Sequence, residues 1–324
     1  MGYTNFPNGL TSMGAPVSGG GFPYNSGGKH YFVDSVNGSD SNTGKSWSKA
    51  KASIFGTAGG EQLLTANQHD VLHVIGGATA YAETAVGTWD KNYTHMVAET
   101  NPIMSGGRAR LTNSVKTATT GEFVISASGC HFEGIHIQWG ASATANSVIG
   151  LSITGDRNSY VNCNFEGPID ATVGGGTAIR MVSLDSVQDN WFYNCKFGQR
   201  TILSTSAAGA LVEFKGTNNT DNGFIDCLFT LYNSNVGAAA VSFVNNAMPD
   251  SGVTTLKSCL FQNSHAAATT DVIRVATAAH GLIHMHDCSI AGIGTTVWTT
   301  SNDENVYTTG PAGSAAGGIT IATT

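Results

Sequence analysis

The chain has 324 residues, a net charge of −7 and a pI near 5.7, and this balance, with no visible basic patch, argues against nucleic-acid binding. Only 11% of the residues are charged, against about 25% in typical soluble domains, which favours a surface that packs against other subunits. No apolar run is long enough for a transmembrane helix, and residues 1–6 lack the features of a signal peptide. We therefore expect synthesis in the cytoplasm without export or membrane insertion.

Residues 1–28 differ in composition from the rest of the chain. Pro7, Pro16 and Pro23 lie here among runs of glycine, and such a segment cannot build a core of its own. Its scattered apolar residues predict an extended arm that docks on a partner surface. The predicted anchors are Tyr3, Phe6, Leu10, Met13, Phe22 and Tyr24.

From residue 130 onward a short pattern recurs at intervals of about 32 residues. Five copies read Cys-x-Phe, and a sixth keeps the cysteine and carries isoleucine in place of phenylalanine. A fixed period in this range indicates one supersecondary unit stacked on copies of itself. The residues predicted to form one inward column are Cys130, Cys163, Cys195, Cys227, Cys259 and Cys288, with Phe132, Phe165, Phe197, Phe229 and Phe261.

The residues around each cysteine predict a tight corner followed by a short strand. The preceding residue is Gly, Asn, Asp or Ser in every copy, and the residue three positions before the cysteine is apolar or aromatic. A left-handed corner lets both positions point into the same core. Apolar runs such as residues 178–181 and 211–214 predict a further strand in each repeat, and no sustained stripe predicts a helix. The pattern therefore predicts an all-β parallel solenoid.

Three further stretches carry a resemblance to a known family. Residues 30–44 read HYFVDSVNGSDSNTG, residues 69–77 read HDVLHVIGG and residues 123–130 read FVISASGC. With the repeat, they resemble the right-handed parallel β-helix proteins of the pectin-lyase-like superfamily over roughly residues 29 to 295. The resemblance implies a right-handed β-helix. The period of about 32 residues departs from the family because it is long, and it implies a long loop on every coil. The expected divisions are an arm over 1–28, an N-terminal cap and first coils over 29–122, regular coils over 123–300, and a C-terminal cap or contact tail over 301–324.

The six cysteines allow two interpretations. Adjacent coils bring equivalent positions within disulfide range, so three bridges could form. A column of inward cysteines is better explained as small buried hydrophobes, and we predict free thiols. Zinc binding is disfavoured because no Cys-x-x-Cys pair occurs.

The superfamily includes many enzymes that cleave polysaccharides, and their catalytic motifs indicate which residues an enzyme of this fold would need. Polygalacturonase-like members carry Asn-Thr-Asp, Asp-Asp, Gly-His-Gly and Arg-Ile-Lys on successive coils. Residues 219–221 match the first motif and residues 279–281 half-match the third, whereas the other two do not occur. Hydrolysis of a glycosidic bond needs two positioned carboxyl groups, and carboxylates from separate chains could still meet in the groove of a trimer. We predict no catalytic residue and no cofactor.

Two further patterns have a structural and a functional interpretation. His284 and His286 alternate on one predicted strand and could ligate a metal around an axis shared by three chains, but two solvated imidazoles are the preferred interpretation, and no metal is predicted. Trp139 and Trp191 could stack on sugar rings, although burial or subunit contact is preferred.

These observations lead to three hypotheses about function. The preferred one is a non-enzymatic structural virion protein of a tailed bacteriophage, a homotrimeric capsid-decoration or head-fibre protein whose arm binds capsid or tail proteins. The second is a tailspike-like polysaccharide depolymerase or lyase. The third is an adhesin that binds a cell-surface glycan without cleaving it.

Overall fold

The computed structural model describes residues 11–12, 15–16, 28–77, 79–99, 109–113, 121–140, 149–171, 178–205, 209–234, 238–244, 247–249, 252–265, 271–275, 281–292, 298–300 and 306–309.

From β4 onward the chain winds through three parallel sheets in a fixed cycle, so that successive strands enter sheet 1, sheet 2 and sheet 3 in turn, and β3 precedes this cycle in sheet 1. Sheet 1 contains β3 (His30–Val33), β4 (Val71–Ile75), β7 (His95–Glu99), β10 (His131–Glu133), β13 (Ser159–Val161), β16 (Trp191–Tyr193), β19 (Asn222–Ile225), β22 (Val253–Lys257), β25 (Leu282–His286) and β28 (Val306–Thr309). Sheet 2 contains β5 (Tyr81–Glu83), β8 (Ala109–Asn113), β11 (Ile135–Gln138), β14 (Asn164–Glu166), β17 (Lys196–Gly198), β20 (Leu228–Leu231), β23 (Leu260–Asn263) and β26 (Ser289–Ala291). Sheet 3 contains β6 (Gly87–Trp89), β9 (Phe123–Ile125), β12 (Ile149–Ile153), β15 (Arg180–Asp185), β18 (Ala210–Lys215), β21 (Ala239–Phe243), β24 (Asp271–Val275) and β27 (Trp298–Thr300).

This arrangement confirms the predicted β-solenoid. Every strand of the three sheets pairs in parallel with the equivalent strand of the next coil, and coils advance by about 30 residues. The short helices in the described part of the chain are two 3₁₀ turns, Trp47–Lys49 and Gly60–Leu63. No helix among the described residues is long and apolar enough to cross a membrane.

Two strand pairings involve the terminal segments that sequence composition distinguishes from the regular coils. β1 (Thr11–Ser12) and β2 (Ala15–Pro16) pair antiparallel within the predicted arm, and β28 joins sheet 1 from within the predicted C-terminal tail. The six predicted anchors of the arm lie outside the described residues. Their docking role therefore stays a prediction.

Aromatic rings fill the interior and stack from one coil to the next. In sheet 1 the ring of Phe192 lies between those of Tyr160 and Phe224, at centroid distances of 4.5 and 4.8 Å. In sheet 2 the rings of Phe197 and Phe229 stack at 4.9 Å. Rings of the two sheets meet edge to face, as Phe197 and Phe224 do at 5.6 Å. In-register parallel pairing places identical residues above each other, so each coil repeats the same favourable ring contacts.

A single left-handed residue turns the chain from sheet 1 into sheet 2. Asn162, Asn194 and Asp226 have φ angles of 54°, 51° and 55°, and each directly precedes a cysteine of the repeat. Asn and Asp tolerate this backbone region better than most residues. The corner predicted from the sequence is therefore present, and it directs the cysteine and the preceding aromatic residue into one core.

Five of the six cysteines form the expected column. Each of these five immediately precedes a strand of sheet 2; they are Cys163, Cys195, Cys227, Cys259 and Cys288. The Sγ of Cys195 donates at 3.4 Å to the carbonyl oxygen of Tyr160 in the preceding coil, and Cys227 makes the same contact with Phe192. All six cysteines are free thiols, and burial raises the pKa of Cys195. They act as small buried groups, each with a weak donor that a carbonyl satisfies.

The placement predicted for Cys130 and Phe132 is wrong. Phe132 pairs with Tyr160 in sheet 1, whereas Ile137 occupies the position in sheet 2 that pairs with Phe165. The coil that begins at β10 advances by only 28 residues in sheet 1. The interval from Cys130 to the next cysteine therefore joins two different corners of the solenoid, although its length matches the repeat.

Cys130 instead lies at one end of a buried asparagine ladder. The side-chain oxygen of Asn158 accepts from the backbone N–H of Cys130 at 2.8 Å, that of Asn190 accepts from Asn158 at 3.3 Å, and that of Asn222 accepts from Asn190 at 3.0 Å. All four residues are buried. The ladder satisfies backbone donors at the corner between sheets 3 and 1, where an unpaired N–H would be costly.

Candidate functional site

The interior of the solenoid is filled by side chains, so within the described ranges the candidate sites lie on the outer faces of the sheets. Three groups of residues stand out there: a charged cluster on sheet 3, a histidine group at the N-terminal end of sheet 1, and an aromatic pair in the middle of sheet 1.

The charged cluster is nearly buried. The Nε of Arg180 donates to Oε1 of Glu213 at 2.5 Å, and both side chains are about nine-tenths buried. Two coils further on, Arg274 donates from Nε and Nη2 to the hydroxyl of Ser242 at 3.2 and 3.1 Å. Burial lowers the pKa of Arg274 and the charge of Arg180 adds to this effect, whereas Asp271 and Glu213 oppose it. The four charges therefore lie within electrostatic reach of one another.

The chemistry of this cluster favours structural pairing. Glycoside hydrolysis uses one carboxyl group that carries a proton and a second that does not. Glu213 instead accepts a short charge-assisted hydrogen bond from Arg180. Such a pair compensates two charges that have been removed from water. We assign the cluster to the stability of sheet 3 and not to proton transfer.

Histidines form hydrogen-bonded contacts across the first strands of sheet 1. Nδ1 of His30 and Nε2 of His73 are 2.7 Å apart, and Nδ1 of His73 lies 2.6 Å from a carboxylate oxygen of Glu99. The ring of His73 also stacks on Phe32 at 5.1 Å. Together these contacts tie β3, β4 and β7 through side chains of different types.

A second histidine contact lies deeper. Nδ1 of His95 accepts the backbone N–H of His131 at 3.1 Å, so its proton resides on Nε2, which faces Nδ1 of His69 at 3.2 Å. His95 is 6% exposed. Burial lowers its pKa to about 4, with smaller contributions from His131 and His69. His95 is therefore a neutral bridge between neighbouring coils near pH 7. Within the described ranges, no three His, Cys, Asp or Glu side chains are grouped to hold a metal ion.

The aromatic pair is formed by Trp191 and Tyr193, which alternate with the inward Phe192 and so face outward. Their ring centroids are 6.2 Å apart and the ring planes differ by 18°. Tyr193 is 37% exposed. Trp139, the other tryptophan considered for sugar stacking, is instead 1% exposed and donates from Nε1 to the sulfur of Met181. The burial that the sequence favoured for Trp139 is therefore confirmed, and its ring in the core cannot stack on a sugar.

The residues that match the first catalytic motif, 219–221, form a corner. The side-chain oxygen of Asn219 accepts from the backbone of Val187 at 3.1 Å, and its amide donates to the carbonyl oxygens of Lys215 and Ala247. Asp221 has a φ of 55°. Asn219 is fully buried. These contacts are those of a polar turn, as the sequence favoured.

The two histidines weighed as metal ligands lie far along sheet 1. His284 and His286 are both exposed on the outer face of β25, and Nδ1 of His286 lies 2.8 Å from a carboxylate oxygen of Asp287. Their alternation is that of a solvent-exposed strand face. His280, in the half-matched third motif, lies outside the described residues.

Sequence analysis missed two of these features. The asparagine ladder had a detectable signal, because Asn158, Asn190 and Asn222 recur at the 32-residue period. The pairing of Arg180 with Glu213 had no detectable signal in the sequence. The two residues are 33 positions apart, and their contact depends on how the loops set the register of adjacent strands in sheet 3.

No family model matches this sequence, and no curated protein matches it. Among solved structures, the pectate lyase Pel9A is similar with a TM-score of 0.54 and 13% identity, over 87% of this chain and 76% of that one. A pectin methylesterase from Aspergillus niger is similar with a TM-score of 0.51 and 12% identity, over 92% and 91% of the two chains. A pectin methylesterase in complex with a hexasaccharide gives 0.52 and 11%, over 88% and 90%. At these identities the likeness concerns the fold alone. The chain has the right-handed parallel β-helix fold of pectate lyases and pectin methylesterases.

Proposed function

We propose that this protein is a non-enzymatic structural component of a tailed-bacteriophage virion, a homotrimeric capsid-decoration or head-fibre protein held by residues 1–28. The observation that carries the proposal is the repetition of the interior. In the coils of β13, β16 and β19 the same aromatic, cysteine and asparagine positions recur above one another, and the cysteine and phenylalanine positions of sheet 2 continue to β23. Ten strands of sheet 1 at about 4.8 Å per coil give a rod of roughly 45 Å.

A repeated interior suits a rigid projecting body. Each coil contacts chiefly its neighbours, so stability accumulates along the axis and the rod resists bending. The charged cluster on sheet 3 is paired internally, which fits a stiffening role. An arm rich in Pro and Gly before such a rod fits attachment to another virion protein.

The proposal is tested by locating the chain in purified particles and by deleting residues 1–28. We expect the full-length chain in particles, and we expect the deletion variant to fold with unchanged thermal stability but to be lost from them. A variant without residues 310–324 is the length control and should still be incorporated. Normal incorporation of the variant without the arm would contradict the anchoring role.

Oligomeric state and activity are tested on the purified protein. Light scattering should give three times the chain mass of 33.5 kDa. A reducing-end assay on bacterial surface polysaccharides should give no turnover. Robust release of reducing ends would instead favour a depolymerase or lyase.

A second candidate function has its own supporting observation. On the outer face of sheet 1, the half-buried Trp191 and the exposed Tyr193 place two aromatic side chains next to each other, which favours a glycan-binding adhesin. Binding without cleavage is compatible with a virion body that also contacts a cell surface.

A further inference from the structure

We propose that the middle of the outer face of sheet 1 binds a single chain of a neutral polysaccharide. The site, here called the aromatic strip, consists of Val161, Trp191, Tyr193 and Ile225 on the adjacent strands β13, β16 and β19. The proposal rests on the adhesin candidate and is independent of the virion location.

The two rings of the strip are held in a preset orientation. The six-membered part of the Trp191 ring lies directly over Gly223 in the next coil, where an added Cβ would be 2.3 Å from Cε3 and Cζ3. The absence of a side chain there lets the indole pack against the backbone of the next coil. The ring of Tyr193 is nearly parallel to it, with the planes 18° apart. The pair therefore forms an apolar surface, here called the platform, in which the indole is already packed against Gly223 before a ligand binds.

Polar groups border the platform on both sides. After Tyr193 the chain turns at Asn194, whose amide donates at 2.7 Å to the side-chain oxygen of Asn162. On the opposite border, Arg157 and Asp189 form an exposed ion pair at 3.8 Å. The charges of this pair oppose each other, and the equivalent corners beside β19 carry Asp221 and Asp226. The borders therefore favour hydroxyl groups over an anionic ligand.

The size of the strip points to an extended saccharide. Three adjacent strands of three residues cover on the order of 10 Å in each direction, far less than the roughly 800 Å² per partner of a stable protein interface. A pyranose presents a face of C–H groups to an aromatic ring and directs its hydroxyls sideways to polar neighbours. Consecutive sugar units of one chain could follow consecutive coils along the axis.

The test uses the full-length protein and a defined set of oligosaccharides. The neutral probes are oligomers of glucose, galactose, rhamnose and N-acetylglucosamine, and oligogalacturonate is the acidic comparator. Binding is measured by calorimetry and by tryptophan fluorescence. We expect saturable binding of at least one neutral probe and weaker binding of oligogalacturonate. Failure of every neutral probe to bind, or preference for oligogalacturonate, would overturn the proposal.

Three variants localise the binding. Trp191→Ala should weaken the affinity about tenfold or more, because a central aromatic contact is lost. Gly223→Ala keeps both rings but pushes the indole off the sheet, and should weaken binding to a smaller extent. Trp47→Ala is the control, since it removes an exposed indole from the N-terminal cap, outside the strip, and should bind as the wild type does.

Each variant is first checked for an unchanged thermal unfolding midpoint. If Trp191→Ala does not fold, Gly223→Ala and Tyr193→Ala decide the outcome. Wild-type affinity in the folded variants would overturn the proposal. The proposal would also be overturned if Trp191→Ala dissociated an oligomer and left saccharide binding unchanged. The strip would then contact a second copy of the chain. Absence of the protein from virions would contradict the proposed function and leave this test unaffected.

Discussion

The central coils and the N-terminal coils of this solenoid are stabilised in different ways. In sheet 1 the chain advances 32 residues per coil between β13 and β22, and the aromatic and asparagine positions recur at the levels of β13, β16 and β19. Nearer the N-terminus the advance changes from 36 to 28 residues in successive coils of sheet 1. There the coils are joined by contacts between unlike groups, such as His73 with Glu99 and His95 with the backbone N–H of His131. A constant period therefore permits side-chain ladders, and a variable period requires individually matched pairs.

The largest expected effect follows from breaking an aromatic ladder in the central coils. The ring of Phe197 is fully buried and stacks on Phe165 and Phe229. Phe197→Ala should lower the free energy of unfolding by about 4 kcal/mol, because it removes a large buried ring and leaves a cavity. Denaturant unfolding followed by circular dichroism measures the change.

The matched control lies in the N-terminal coils. Leu111 is equally buried in sheet 2, and Leu111→Ala should cost about 3 kcal/mol. A larger loss at Leu111 than at Phe197 would show that the stacked rings add nothing beyond the burial of apolar area.

Acid should weaken the N-terminal coils before the central ones. The native pKa of His95 is about 4, below its ordinary value of 6.5, so the unfolded chain takes up this proton more readily. The contribution of His95 is complete above pH 6.5 and is lost as the pH falls toward 4, by up to about 3 kcal/mol at pH 4. Hydrogen exchange as a function of pH should show faster opening of β7 and β10 in this range.

Two comparisons isolate the effect. His95→Asn should retain an acceptor for the backbone of His131 and flatten the pH dependence between 6.5 and 4.5. In Glu166, burial raises the pKa, but the hydrogen bond and charge of His136 outweigh it and lower the pKa to about 2. The stability from Glu166 is therefore present above its ordinary pKa of 4.5 and is lost only below it. An unchanged pH profile in His95→Asn would contradict the assignment.

The comparison also explains how much of the fold could be predicted from the sequence. Sheet 2 keeps a constant period of 32 residues from β14 to β23, so the positions of Cys163 to Cys259 followed from spacing alone. Cys288 keeps the equivalent position although the last interval is 29 residues. Cys130 was misplaced because its spacing matched the period by coincidence, while the intervening coil is shorter. Spacing cannot separate these cases, since it does not reveal which corner a residue occupies.

The outer faces were less predictable than the core. The orientation of Trp191 followed from its alternation with the inward Phe192, but its flat packing depends on Gly223 in the next coil. Trp139 has a similar sequence context and yet lies in the core. Whether a side chain on an outer face is exposed depends on how loops of unequal length pack over it. Where no side-chain ladder recurs on that face, the sequence contains no periodic pattern from which the exposure can be predicted.

The smallest expected loss of stability concerns the asparagine ladder, which runs from the N-terminal coils into the central coils. Asn190→Ala removes the acceptor for the backbone N–H of Asn158 and two donors to carbonyl oxygens, and should cost on the order of 2 kcal/mol. Cys130 occupies the equivalent position nearer the N-terminus, but its sulfur makes only weak contacts at 3.6 Å. Cys130→Ala should therefore cost about 1 kcal/mol. Equal losses at the two positions, measured by denaturant unfolding, would mean that the ladder stabilises by filling space and not by satisfying backbone donors.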